Sequence, residues 1–190
     1  ERQAVERRIF DEVVNHLRLH PHLLARRSLV LGSEKWHQGV LGIVASKVAR
    51  RHYRPVILIG NEGDLGKGSG RSIAGVDLYR ALSACSADLE RFGGHAMAAG
   101  LSIRPDKIAE FRDHFDAAVR ETAGDEAFTP VLTLDAELDL ADITDGLLDE
   151  LASLSPYGEG NPEPLFMARN VRVRFSKIVG GRHRRMTLAP

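Results

Sequence analysis

The chain has 190 residues, 43% hydrophobic and 27% charged, with a formal net charge of zero. That is the composition of a globular protein with room for one good core, or for one domain and part of another. It excludes a disulfide scaffold, because Cys85 is the single cysteine, and a membrane-spanning chain, because no apolar run nears the length of a span. The lone cysteine and the lack of a signal-peptide pattern fit a reducing cytoplasm.

Residues from about Arg2 to Leu17 read as an amphipathic helix, with Val5, Ile9, Val13 and Leu17 repeating every four positions until Pro21 stops the pattern. His20 and His22 bracket that proline with no second cluster at ligand spacing, which reads as a plain loop. Ser28–Leu31 is a short buried strand. Val40–Tyr53 has helical spacing and ends at Arg54-Pro55. Val56–Gly60 is a continuous apolar strand, so strand, helix and strand form a βαβ unit with a parallel pair. A glycine-rich strand is expected through Ile73, then a helix capped by Asp77 and carrying Leu78, Ala81, Leu82 and Cys85. Cys85 reads as a small packed hydrophobe. After Phe92-Gly93-Gly94-His95 an alanine-rich turn of helix is expected, then a strand over 100–103. A helix from Pro105 carries Ile108, Phe111, Phe115 and Val119 on one face. Asp113-His114 on that helix reads as a surface pair beside a core aromatic.

Beyond Gly124 the character changes. Val131–Leu134 and Glu137–Leu140 alternate as strands do, and Leu147–Leu154 is a short helix. A Gly/Pro-rich loop spans 155–164. Val171–Val179, a two-residue Gly180-Gly181 turn and His183–Leu188 read as a hairpin opening a small barrel. Charge is segregated here. Residues 121–150 hold ten acidic and no basic side chains, whereas 169–185 hold seven basic and no acidic ones. The basic run, with Arg172, Arg174, Arg182, Arg184 and Arg185 near Phe166 and Phe175, suits a phosphate backbone with stacked bases, although a solvated strand face has the same look. The chain opens at Glu1 and stops at Pro190 straight after a strand-like run, so a longer parent is expected.

The densest chemistry lies in Gly66-Lys67-Gly68-Ser69-Gly70-Arg71-Ser72 and in Gly93-Gly94-His95. Glycines let a backbone approach a ligand, an arginine fork suits phosphate, and a serine adds a hydroxyl. A histidine after two glycines reaches a ligand unobstructed. A flexible loop with an ordinary turn histidine has the same spelling. Two sharper templates fail. Asn61 stands where a P-loop needs its first glycine, and Arg71 stands where a dinucleotide fingerprint needs its third.

Taken in order, Trp36-His37-Gln38-Gly39-Val40-Leu41-Gly42-Ile43-Val44-Ala45-Ser46, Arg54-Pro55-Val56-Ile57, Gly68-Ser69-Gly70-Arg71-Ser72 and Arg91-Phe92-Gly93-Gly94-His95 resemble the DHHA1 domain of the RecJ family. That family comprises bacterial single-strand exonucleases of the DHH/DHHA1 phosphoesterase superfamily. Leu154–Pro162 with its strands is similar to that family's entry into an OB-fold. The resemblance implies an α/β DHHA1-type domain, a mixed sheet flanked by helices, followed by an incomplete OB-like barrel. It implies a linker helix from a missing DHH domain over 1–24, DHHA1 over 25–125 and an OB segment over 126–190. It also implies a parent that cuts single-stranded DNA from the 5′ end in DNA repair and recombination, with Mn2+ or Mg2+ held in the DHH domain. By the same resemblance Ser69, Gly70, Arg71, Ser72, Gly93 and Gly94 bind phosphate, Lys67 and Trp36 assist, and His95 sits near the scissile phosphate. No Asp-His-His occurs here, so this piece is expected to hold no metal or cofactor and to be inactive alone. Expected partners are single-stranded DNA, the missing DHH domain and single-strand-binding protein, with no membrane. The alternatives are a DHH–DHHA1 phosphodiesterase for oligoribonucleotides or cyclic dinucleotides, and an RNA- or tRNA-binding DHHA1 module.

Overall fold

The structure, a computed structural model, describes residues 2–62, 64–181 and 183–189. Its residues form two compact units, Glu1–Pro130 and Val131–Pro190. Among the described residues no helix is long and apolar enough to cross a membrane.

In the first unit, α1 (Arg2–Leu19) buries Ile9, Val13 and Leu17, the stripe its four-residue spacing predicts. After β1 (Leu29–Ser33), α2 (Gln38–His52) starts where the His37 Nδ1 accepts the Gly39 N–H at 3.1 Å. It ends with three basic residues against its C-terminal dipole, then Tyr53 in the left-handed region at φ 48°. β2 (Val56–Glu62) runs parallel to β1 and is buried from Val56 to Gly60. β3 (Leu65–Arg71) returns antiparallel to β2. Next come α3 (Leu78–Ala84), capped by the Asp77 carboxylate on the Arg80 N–H at 2.9 Å, β4 (Arg91–His95), β5 (Ala98–Ile103) and α4 (Ile108–Thr122).

The five strands form one mixed sheet in the order β1-β2-β3-β5-β4. Strand alternation divides the core in two. Ile57 and Ile59 join Leu78, Leu82, Leu101, Phe111 and Phe115 under α3 and α4. Val56 and Leu58 join Leu31, Leu41, Val44 and the buried stripe of α1 under α2. Buried Asp116 of α4 ties the start of β1 to that helix, accepting from the Ser28 N–H at 2.9 Å, the Ser28 hydroxyl at 3.1 Å and the Arg120 Nε at 2.9 Å.

Two expectations for this unit fail. The glycine-rich strand ends at Arg71, not Ile73. The alanine-rich segment after His95 is not a turn of helix, because β4 and β5 form a tight hairpin with only Ala96-Met97 between them. Pairing with β3 on its far side holds Ala98 and Ala99 in the sheet against their helical propensity.

In the second unit, Val131–Leu134 is not a strand, and Val131 is 79% exposed. Its alternation lacks a hydrogen-bonded neighbour among the described residues, and strand pairing here shrinks to β6 (Ala136–Glu137) parallel to β7 (Phe166–Met167). The Thr144 hydroxyl caps α5 (Asp145–Ser153). Asn161 holds the Gly/Pro loop by donating to the Leu154 and Pro156 carbonyls. β8 (Arg172–Val179) and β9 (His183–Ala189) make the expected hairpin, but Val179 pairs with His183, so three positions separate the strands rather than two.

Candidate nucleic-acid interface

β3 has a burial pattern that alternates strictly, with Gly66, Gly68 and Gly70 buried and the residues between them partly or fully exposed. The glycines serve packing. A Cβ on Gly68 would stand 2.8 Å from the Leu101 side chain, and one on Gly70 would stand 2.8 Å from the Leu78 Cδ2. Glycine here lets apolar side chains reach the sheet. Lys67, Ser69 and Arg71 therefore project together from the opposite face, the one that α2 partly covers.

Register extends that face across the sheet. Lys67 pairs with Ser102 and Ser102 with Arg91. Ser69 pairs with Gly100 and Gly100 with Gly93. Arg71 pairs with Ala98 and Ala98 with His95. The three rows make a polar face two cations wide, with a floor almost bare of side chains in its middle row. A Cβ on Gly93 would meet nothing within 4 Å, and one on Gly100 would meet only the Gly68 carbonyl at 3.8 Å. A shallow cavity of about 280 Å³ lies over the first two rows, lined by Gln38, Lys67, Ser69, Arg91 and Ser102. A second of about 520 Å³ lies at the other end, lined by Ser46, Arg50, Tyr53, Arg71 and Met97.

Arg71 is half-buried between the sheet and α2. Its Nη1 donates to the Gly70 carbonyl at 2.7 Å, and its guanidinium lies against Gly42, where a Cβ would stand 2.8 Å from Nη2. One hydrogen bond leaves most of its fork of donors for an anion. The Ser69 hydroxyl has no hydrogen bond among the described residues. His95 is exposed, and its Nδ1 accepts the Met97 N–H at 3.3 Å, which leaves Nε2 to carry the proton in the neutral ring. α2 begins beside the first cavity through Gln38, so its positive end adds to the field of the cations.

Other residues of the motifs lie elsewhere. Ser72 is buried and its hydroxyl donates to the Val76 carbonyl at 2.7 Å, closing the turn after β3. Trp36 is buried, with its indole Nε1 on Glu12 of α1 at 2.8 Å, and its carbonyl fills the space beside Gly60. Gly94 has φ 144°, and the Ala98 carbonyl and Ala99 occupy the place of any side chain, so it is a packing glycine. These three hold the frame of the site. Arg91 and Ser102 belong to the face but were missed. Reading Arg91-Phe92-Gly93 with a period of two would have placed Arg91 beside Gly93 and His95.

In the second unit the arginines divide between two faces of the hairpin. Register puts Arg185 opposite Lys177 on the side of Phe175, whereas Arg184 lies opposite Ile178 on the side of Met186 and donates to the Ser176 hydroxyl at 3.3 Å. Arg174 falls at a register irregularity, and Arg172 starts β8 opposite Ala189. Arg182 lies outside the described residues. The pairing thus does not gather these arginines on one face of the hairpin.

Among the described residues one group could offer a cation three ligands. Asp88, Glu110 and His114 place ligand atoms within 4.8 Å of one another beside α4, on the far side of the sheet. Present contacts occupy it. The His114 Nδ1 meets the Asp88 carboxylate at 2.7 Å, which raises the imidazole pKa, and the Lys107 ammonium sits 2.7 Å from Glu110. Burial, with Asp88 adding to it, pushes the nearby Cys85 thiol up to about 11, so Cys85 is no nucleophile.

The comparisons with known proteins agree with this architecture. Residues 25–121 match the DHHA1 domain, and residues 134–190 match the RecJ OB domain. The chain is 34% identical over 99% of its length to the single-stranded-DNA-specific exonuclease RecJ of Bacillus subtilis, covering 24% of that protein. It is 41% identical over 85% of its length to the protein of the same name from Dickeya dadantii, covering 29% of it. The crystal structure of RecJ with Mg2+ from Thermus thermophilus superposes with a TM-score of 0.79 at 30% identity, over 98% of this chain and 28% of that one. The chain thus spans about a quarter of the length of these relatives. With a mixed sheet flanked by helices and an OB segment after it, the chain belongs to the DHHA1 family in the form found in RecJ, and corresponds to a C-terminal part of such a protein.

Proposed function

We propose that this chain is the strand-gripping part of a RecJ-type 5′-to-3′ single-stranded DNA exonuclease of the cytoplasm, acting in DNA repair and recombination. Its DHHA1 domain (25–125) is the wall that holds phosphate, its OB segment (126–190) guides the strand, and residues 1–24 join it to a DHH domain. That domain carries the Mn2+ or Mg2+, which supplies the activated water. The present chain does not cut by itself, and single-strand-binding protein is a further partner of the parent. The observation that carries this reading is the face of β3, β5 and β4, where Ser69, Arg71 and His95 surround a glycine floor.

The geometry supports a division of labour. Arg71, held by Gly70 and wedged against Gly42, offers its remaining N–H groups to the terminal 5′-phosphate, with the Ser69 hydroxyl beside it. The bare floor at Gly93 and Gly100 lets the sugar–phosphate chain lie close to the backbone. The His95 Nε2–H, on the strand beyond Ala98, meets the next phosphate.

Binding of labelled single-stranded DNA with and without a 5′-phosphate tests this. Arg71→Ala should weaken binding of the phosphorylated strand by roughly ten- to a hundredfold, the worth of a charge-assisted hydrogen bond, and the hydroxyl-ended strand much less. Equal losses for both strands would remove end recognition from Arg71.

A further inference from the structure

We propose that the same sheet face holds a second phosphate seat, made by Lys67 of β3 and Arg91 of β4 around Ser102, so that β3 spaces the phosphates of one strand. This rests on the reading of that face as a nucleic-acid grip, and deepens it.

Lys67 and Arg91 are both exposed and both pair directly with Ser102, one from each side. Neither makes an ion pair or hydrogen bond with a described residue. Elsewhere in the unit many cations are matched: Arg26 with Asp113, Lys47 with Glu6, Arg104 with Asp106 and Lys107 with Glu110. Two like charges flanking one serine repel each other, and a bound anion between them adds two attractions that outweigh that repulsion. The cavity of about 280 Å³ lies there, with the Gln38 end of α2 on its rim.

The spacing carries the argument further. Lys67 and Arg71 are four residues apart on one face of β3, which at a strand's rise of about 3.3 Å per residue is about 13 Å. A stretched single strand covers that with roughly two nucleotide steps, so both cations can hold phosphates of the same chain. Between them lies the Ser69–Gly100–Gly93 row, open enough for the intervening backbone. The terminal phosphate sits with Arg71, and an internal phosphate sits with Lys67 and Arg91. A mononucleotide therefore reaches the first seat alone, and a trinucleotide reaches both.

The test is calorimetric binding by the 190-residue chain of thymidine 5′-monophosphate and of the 5′-phosphorylated trithymidylate. The chain is compared with Lys67→Ala/Arg91→Ala and with Arg71→Ala, after equal melting curves have been checked. Lys67→Ala/Arg91→Ala should leave the mononucleotide unchanged, weaken the trinucleotide roughly tenfold or more, and lower its salt slope by about 0.7, the share of one phosphate. Arg71→Ala should weaken both ligands. If Arg71→Ala weakens both while the double variant changes neither, the second seat is overturned and the first stands. If the double variant weakens both ligands alike, the two cations supply only a general field and the spacing argument is overturned. If neither variant matters, or the native chain binds neither ligand, the reading of the face and the second seat are overturned together.

Discussion

On the side of β3 that faces α3 and α4, Gly68 and Gly70 leave room for Leu101 and Leu78, and each missing Cβ is replaced by a buried methyl group. On the other side Lys67, Ser69 and Arg71 project beside α2, with the Arg71 guanidinium against Gly42, and the cavities lie there. One strand of seven residues thus supports the core with its even positions and presents chemistry with its odd ones. A site on a central strand inherits the rigidity of the sheet, because moving Arg71 would require moving a strand paired on both sides. The contrast also predicts which substitutions damage folding and which damage only binding.

The largest effect is expected on the glycine side. Gly70→Val places branched carbon where the Leu78 Cδ2 stands at 2.8 Å from the first added atom, with the Ile57 Cγ1 at 3.4 Å and the Ala99 carbonyl at 3.6 Å. Overpacking of that kind costs about 1–3 kcal/mol, and β-propensity offsets little of it. Chemical denaturation should show a lower midpoint. An unchanged midpoint would mean that the glycines do not serve packing, and would return them to the ligand side of the argument.

A smaller and more selective effect separates the two sides at Gly42. A Cβ there would stand 2.8 Å from the Arg71 Nη2, the far end of a flexible side chain. The helix itself gains about 0.5–1 kcal/mol when a mid-helix glycine becomes alanine. Gly42→Ala should therefore leave the melting temperature equal or higher while displacing the guanidinium, weakening 5′-phosphate binding by roughly three- to tenfold. Loss of stability together with binding would show that Gly42 supports the fold and not the clamp.

Much of this was legible in the sequence, for reasons that differ by residue. The βαβ start was readable because Val56–Gly60 is apolar throughout and α2 has helical spacing, both local signals. The Asp77 cap was readable for the same reason. The role of the glycines in β3 was not, because the atoms that fill their space belong to Leu78 and Leu101, eight and thirty-three positions from Gly70 and Gly68. Ser72 and Trp36 share a motif with the site yet serve the frame, since the motif records what is needed near the site, contact or not. Arg91 was overlooked because it precedes the glycines of its motif, and only the β4–β5 register brings it beside Lys67. In the second unit Val131–Leu134 carried a strand's alternation but lacks a pairing partner among the described residues, and pairing is what makes a strand.

The smallest effect is expected away from the polar face, at His114 on α4. The Asp88 carboxylate, with Glu110 and Asp113 adding to it, raises the His114 pKa above its ordinary value. A histidine whose folded pKa is raised gives stability that is fully present below the unfolded pKa of about 6.5 and is lost as pH rises through the folded value. His114→Gln should thus lower the melting temperature more at pH 5.5 than at pH 9, where native and variant should converge. Phosphate binding on the other side of the sheet should be the same for native and variant at either pH. A melting deficit that is equal at both pH values would reduce the Asp88–His114 contact to an uncharged hydrogen bond. A change in phosphate binding would mean that the two faces of the sheet are coupled through α4 and β1, against the separation that the glycine and arginine positions of β3 imply.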